Sequence, residues 1–274
     1  MNFRATSTLA CISFASVAGL SGCVQFTPVK DMAVDKPAYL AAHFNIESLP
    51  ASVQGKLPSS GTHPLPFKVL AIAGSMVGHV GAVTLQSNFQ TTMINAKDTG
   101  VVQQVSELSS NGIPSAATYS LSYLNLYTLK QETAVYSQRV APLPLLVHGV
   151  DNNQFVFDKP REGATYTTTF ESGTTVQIMN FRAAVWTCHA GHYYPASKVT
   201  PVLSGQAIDL DCEESKDGII QNKSRYTYLT EYGVGVVRSM ATAAAKFDWS
   251  YTQFEKDGEH APGTAVKPGN DKPV

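Results

Sequence analysis

Between Phe67 and Phe254 the chain alternates apolar and polar residues in short runs separated by turn signals. Tyr119, Leu121, Tyr123, Tyr127 and Leu129 share one parity, interrupted by Asn125. Tyr166, Thr168 and Phe170 repeat the pattern, then Val176 and Ile178, then Tyr226, Tyr228, Thr230 and Tyr232, then Val234 and Val236. A period of two puts each set on one face of a sheet. Asn111-Gly112, Asp151-Asn152-Asn153, Glu162-Gly163, Ser172-Gly173, Ser204-Gly205 and Asp217-Gly218 punctuate the runs, and Glu171 to Thr174 is a hairpin candidate. Many short strands with no long helical pattern between them predict a mainly β fold, an antiparallel sandwich or partly open barrel with few short helices. The alanines of Arg238 to Lys246 favour one helix by propensity.

Two stretches stand apart. Val69 to Leu85 carries no charge and approaches the length of a membrane span, but its β-branched residues and glycines predict two buried strands joined at Gly74 or Gly78. Residues 23–66 hold Pro28, Pro37, Pro50, Pro58, Pro64 and Pro66, a spacing that predicts a tether, with a short helix at Lys36 to His43 where Pro37 suits a helix start. The expected organisation is a leader at 1–22, the tether at 23–66, a β-rich domain at 67–254, with two β halves dividing near 159–161 as the alternative, and a disordered tail at 255–274 whose prolines and charges bury little.

Composition narrows the function classes. Of 274 residues only 15% are charged, with 20 Lys+Arg against 21 Asp+Glu, which excludes a nucleic-acid binder built on phosphate neutralisation. Uncharged Ser, Thr and Tyr supply the polarity, as in strands with one wetted face. Of the four cysteines, Cys11 and Cys23 lie near the N-terminus, leaving Cys188 and Cys212. In an oxidising compartment such a pair forms a disulfide. The competing reading makes Cys188-His189-Ala190-Gly191-His192 a zinc or copper site, with His189 and His192 as candidate ligands, but the spacing matches no strong metal signature. The acidic run from Asp209 to Glu214 lacks the sixth-position glycine of a calcium loop, and no G-x-S-x-G elbow occurs. No catalytic constellation and no cofactor are implied.

The N-terminus is more specific. Arg4, an apolar stretch from Ala5 to Leu20 and then small residues form the layout of a secretory signal, and Leu20-Ser21-Gly22-Cys23 resembles the lipobox of bacterial lipoproteins. The resemblance implies cleavage before Cys23, which then carries a diacylglyceryl thioether and an N-acyl chain, enough for stable anchoring without a transmembrane helix. Val24 in place of Asp implies sorting to the outer membrane of a Gram-negative cell, facing the periplasm. The succession Gly205, Ile208 to Cys212, Lys216 to Gly218, Tyr226 to Tyr232 and Gly233 to Val237 is similar to uncharacterised periplasmic β-rich proteins. The function expected is that of a non-catalytic cell-envelope lipoprotein, held to the membrane by its lipid, whose β domain binds an envelope protein, a glycan or an apolar ligand. The alternatives are an envelope hydrolase or metal-dependent enzyme using His189 or His192, and a structural component of an envelope assembly or secretion system.

Overall fold

The structure, a computed structural model, describes residues 26–151 and 154–260. The expected leader at 1–22, Cys23 and residues 261–274 lie outside the described residues. Thirteen strands form one antiparallel sheet in sequence order: β1 (Val69–Val80), β2 (Val83–Asn95), β3 (Val101–Ser110), β4 (Ile113–Tyr123), β5 (Tyr127–Val135), β6 (Leu145–Asp151), β7 (Thr165–Thr174), β8 (Arg182–Pro195), β9 (Gln206–Lys216), β10 (Ile219–Leu229), β11 (Val234–Thr242), β12 (Ala245–Lys256) and β13 (Glu259–His260). β12 also pairs with β1, from Leu70↔Lys256 to Val80↔Ala245, so twelve strands close into a barrel and no long edge is left exposed. The mainly β, antiparallel class is present as expected, and the barrel is closed rather than partly open. Of residues 255–260, expected in the tail, Glu255 and Lys256 end β12 and Glu259–His260 form β13, which folds back on it.

Several local expectations give way to the ladder. Asn111-Gly112 and Asp217-Gly218 do form two-residue turns, with φ of 52° and 77° in the first and 51° and 77° in the second, the left-handed pair that matches hairpin twist. Glu171 to Thr174, by contrast, stays in β7, because Gly173 pairs with Leu146 of β6, and the chain reverses only over residues 175–181. Arg238 to Lys246 is not a helix. β11 runs through Thr242 against β10, and this pairing overrides alanine propensity. Val69 to Leu85 is indeed two strands, but they join at Gly81-Ala82, and the outer half of the hairpin is exposed rather than buried. Gly74 and Gly78 instead make room for aromatic rings, since a Cβ there would lie 2.8 Å and 2.7 Å from the rings of their cross-strand partners Phe89 and Phe247.

The largest departure is in residues 26–66, which fold onto the barrel instead of forming a tether. They make α1 (Val29–Val34), α2 (Lys36–His43), a 3₁₀ turn (Ile46–Ser48) and α3 (Ala51–Gln54). The prolines stand where helices begin, Pro28 and Pro50 at N-caps and Pro37 in the first turn of α2, where a missing N–H costs nothing. Asp35 caps α2 by accepting from Ala38 N at 3.0 Å. Met32, Leu40, Phe44 and Val53 are fully or almost fully buried. Tyr119 of β4 donates to Met32 O at 2.5 Å, Gln103 of β3 to Phe44 O at 2.9 Å and Lys130 of β5 to His43 O at 2.6 Å. The tyrosine-rich face of β4 therefore looks outward at this clasp, and Thr118, Ser120 and Ser122 look inward.

Candidate functional site

The inward faces of β1 to β5 and β10 to β12 line a half-open cavity of about 170 Å³ in the barrel lumen. Its apolar lining includes Ile72, Phe89, Met93, Val236, Trp249 and Tyr251. Interleaved with these are uncharged polar residues, Thr91, Gln104, Ser106, Thr118, Ser120 and Gln131, and Thr91 is the cross-strand partner of Ile72. Two of the lining hydroxyls are linked, Thr91 donating to Ser106 at 2.8 Å, and Thr118 lies 3.1 Å from Thr133 beyond the lining. Gln104 differs, since its buried Oε1 has no hydrogen-bond partner in the protein. No Asp, Glu, Lys, Arg or His lines the cavity. Burial pushes the phenol of Tyr226 up to about 12 and that of Tyr251 higher still, so both lumen tyrosines stay neutral.

The volume decides what enters. An engineered cavity of about 150 Å³ lined by apolar side chains holds one benzene, so this lumen takes about one six-membered ring or a short alkyl segment. A charged group finds no ionic partner among the lining residues, so one that loses its water there is disfavoured. A hydroxyl or amide proton is accommodated, because Gln104 Oε1 is free to accept it.

A second, open cleft of about 710 Å³ lies at the end formed by the β6–β7 and β10–β11 connections, lined by Pro64, Phe157, Asp158, Arg161, Tyr166 and Tyr228 among others. Tyrosines pin its floor: Tyr123 donates to Phe157 O at 3.0 Å, Tyr228 to Asp158 O at 3.1 Å and Tyr193 to Pro160 O at 2.6 Å. His63, Asp158 and Tyr123 meet here, but they do not make a relay. Asp158 Oδ1 at 3.2 Å and the Tyr123 hydroxyl at 3.3 Å approach the same His63 Nδ1, and burial raises the Tyr123 phenol far above neutrality.

The structure pairs Cys188 with Cys212 in a disulfide across the β8–β9 ladder, where the two are register partners with Cα atoms 4.0 Å apart. That leaves the Cys188-His189-Ala190-Gly191-His192 motif without a thiolate. His189 and His192 are both exposed; His189 Nδ1 lies 2.8 Å from the Thr165 hydroxyl and His192 Nδ1 3.8 Å from Glu162. Among the described residues no three His, Cys, Asp or Glu side chains gather as a metal site. Asp209, Asp211 and Glu213 alternate along the outer face of β9, where Asp211 forms a two-pronged pair with Arg225 at 2.7 and 3.1 Å. This charged face of β9 is the reverse of the apolar outer face of a lipid-facing strand. Among the described residues no helix is long and apolar enough to cross a membrane.

Fold and cavity together define a closed antiparallel β-barrel with an uncharged cavity in its lumen and an N-terminal clasp. No family model matches the chain, and no curated protein sequence does. Among solved structures it is similar to a β-barrel-like protein of domain of unknown function DUF1849 from Brucella abortus, at 10% identity over 70% of this chain and 99% of that one, with a TM-score of 0.37. A DUF1329 family protein from Desulfovibrio piger is similar at 12% identity over 84% of this chain and 94% of that one, with a TM-score of 0.38.

Sequence reasoning missed the lumen. Period two shows that a strand has two faces, but not which one looks inward, and on β4 the aromatic face looks out. The useful signal was the run of Thr and Ser opposite the tyrosines, at Thr118, Ser120 and Ser122.

Proposed function

We propose that this protein is a cell-envelope lipoprotein, anchored through Cys23 at the outer membrane facing the periplasm, whose barrel is a non-catalytic binding domain for an uncharged, largely apolar ligand group. The observation that supports it is the mixed lining of the cavity: aromatic and aliphatic side chains interleaved with hydroxyls and amides, a free acceptor at Gln104, and no charged side chain among them. The apolar side chains supply affinity through buried area, and the polar ones select a ligand that carries one hydrogen-bond donor.

Trp249 lines the cavity and reports on it once the other tryptophan is removed as Trp186→Phe. Titration with 1-hexanol is expected to shift Trp249 emission saturably. Hexanoate, which carries a charge the lumen cannot pair, is expected to leave it unchanged, and Ser120→Phe, which fills the cavity, to abolish the hexanol response. Equal responses to hexanol and hexanoate, or an unaltered response in Ser120→Phe, would refute the lumen as the binding site. The anchor is tested separately: Cys23→Ser is expected to abolish labelling by radioactive palmitate and to leave an unprocessed precursor.

A further inference from the structure

An up-and-down barrel places alternate connections at opposite ends. The β1–β2, β3–β4, β5–β6, β7–β8, β9–β10 and β11–β12 connections therefore share one end. This end carries large apolar side chains in the open: Val80, Val83, Ile113, Val176, Ile178 and Ile219, of which Ile113 is 70% and Ile178 83% exposed. Among the described residues, no connection at the opposite end exposes a large apolar side chain. Turns at a water-facing surface select polar residues, so an isoleucine beside each of two left-handed Gly turns is placed against that preference.

The N-terminal segment arrives at the same end. Ala141, in the β5–β6 connection, donates to Thr27 O at 2.9 Å, Val29 N donates to Arg139 O at 3.0 Å, and Pro28 bridges Val140. Cys23 precedes Phe26 by three residues, so chain length holds it within roughly 10 Å of Phe26. The charges agree: within two residues of these connections stand Arg139, Arg182, Lys216 and Lys246 against Asp217 alone. Of these cations Arg182 pairs with Glu214 and Lys246 with Asp248, both further along the wall. With those two paired, Arg139 and Lys216 stand against Asp217, a small positive excess around an apolar tip, of the sign that suits anionic headgroups around acyl chains.

We infer that this apolar end is a membrane-docking rim, which seats the barrel upright on the bilayer with its hairpin tips among the lipid headgroups and its opposite end facing away. The inference rests on the anchored reading above for its orientation. The occupant is lipid rather than a protein groove, because the patch is made of separate hairpin tips around a mouth and because the chain leading to Cys23 emerges beside it.

The test uses the full mature chain purified from membranes and reconstituted into phosphatidylethanolamine–phosphatidylglycerol vesicles. Ile113→Cys, Ile219→Cys and, at the opposite end, Lys198→Cys are each labelled with an environment-sensitive fluorophore, and mass spectrometry reads acylation at Cys23. The rim labels are expected to brighten severalfold on vesicles, to be quenched by nitroxide-bearing lipid and to be shielded from iodide, and the Lys198→Cys label to stay iodide-accessible. An acylated protein on vesicles whose rim labels remain as iodide-accessible as the Lys198→Cys label overturns the rim and leaves the anchor standing. An unacylated protein whose rim labels are quenched by lipid overturns the anchor and supports the rim. Shielding of the rim labels without vesicles, together with a doubled mass in light scattering, would assign the surface to a second copy of the chain and overturn lipid docking.

Discussion

Phe44→Ala tests whether the N-terminal clasp shares one cooperative unit with the barrel. Phe44 is fully buried at the end of α2. Its ring lies 6.0 Å from that of Tyr119 and 6.3 Å from that of Tyr39, and the Lys130 ammonium sits 5.2 Å from its centroid. Truncating a buried Phe costs about 3–5 kcal/mol, and here the loss includes the ring face that partners a buried cation. The cavity also falls where collapse is hard, because the backbone around it is tied down: Phe44 N donates to Leu40 O at 2.9 Å and Gln103 to Phe44 O at 2.9 Å. For a domain of 150–250 residues, 1 kcal/mol moves Tm by about 2–4 °C, so a loss near 4 kcal/mol lowers Tm by about 8–16 °C. Calorimetry of wild type, Phe44→Ala and the control Val34→Ala measures this directly. Val34 is 86% exposed, and its substitution is expected to change stability by no more than about 0.5 kcal/mol. A single transition shifted down in Phe44→Ala alone is the expected result. If Phe44→Ala melts within about a degree of wild type, far below the shift expected for one buried ring, the segment is a passenger and the assignment of a shared core is wrong.

Two further outcomes follow from the covalent and electrostatic contacts. Replacing Cys188 and Cys212 together by Ser opens a loop with a sequence separation of 24, for which the chain-entropy model gives a loss of about 3 kcal/mol; urea unfolding should show it, and thiol titration of unreduced wild type should find neither sulfur free. Asp257 accepts from the backbone N–H groups of Val69 and Lys68 at 2.8 Å each, and these bonds hold its carboxyl below the ordinary value of 3.8. Because the folded state favours the ionised form, this stabilisation is present above pH 3.8 and fades as pH falls through the lower folded value. Asp257→Asn is therefore expected to melt below wild type at neutral pH and to converge with it in strong acid; a gap that persists there would mean that Asp257 acts through shape rather than charge.

The strands were legible because alternation is a property of the backbone that side chains must obey. Tyr226, Tyr228, Val234 and Val236 occupy the strands their parity indicated. The disulfide was legible by elimination. The clasp was not, because prolines that forbid a long helix also start short ones, and the apolar residues Val29, Met32, Leu40, Phe44, Leu49 and Val53 are spread over four elements too brief to show a period. The lumen was illegible for a different reason: its polar lining comes from inward-facing residues of β2 to β5, and only closure of the ring tells inside from outside.

Ring closure also governs how the chain reaches this state. β1 is sealed by β12, and Lys68 is bonded to Asp257 across a sequence separation of 189. Until β12 is available, any partial barrel exposes two unpaired edges, and the clasp, although made first, has nothing to grip before β3 to β5 exist. Such long-range pairing folds slowly and is open to aggregation while incomplete. The barrel is therefore complete only when its last strand, β12, pairs with its first, and the edges of any shorter barrel wait on that one ladder.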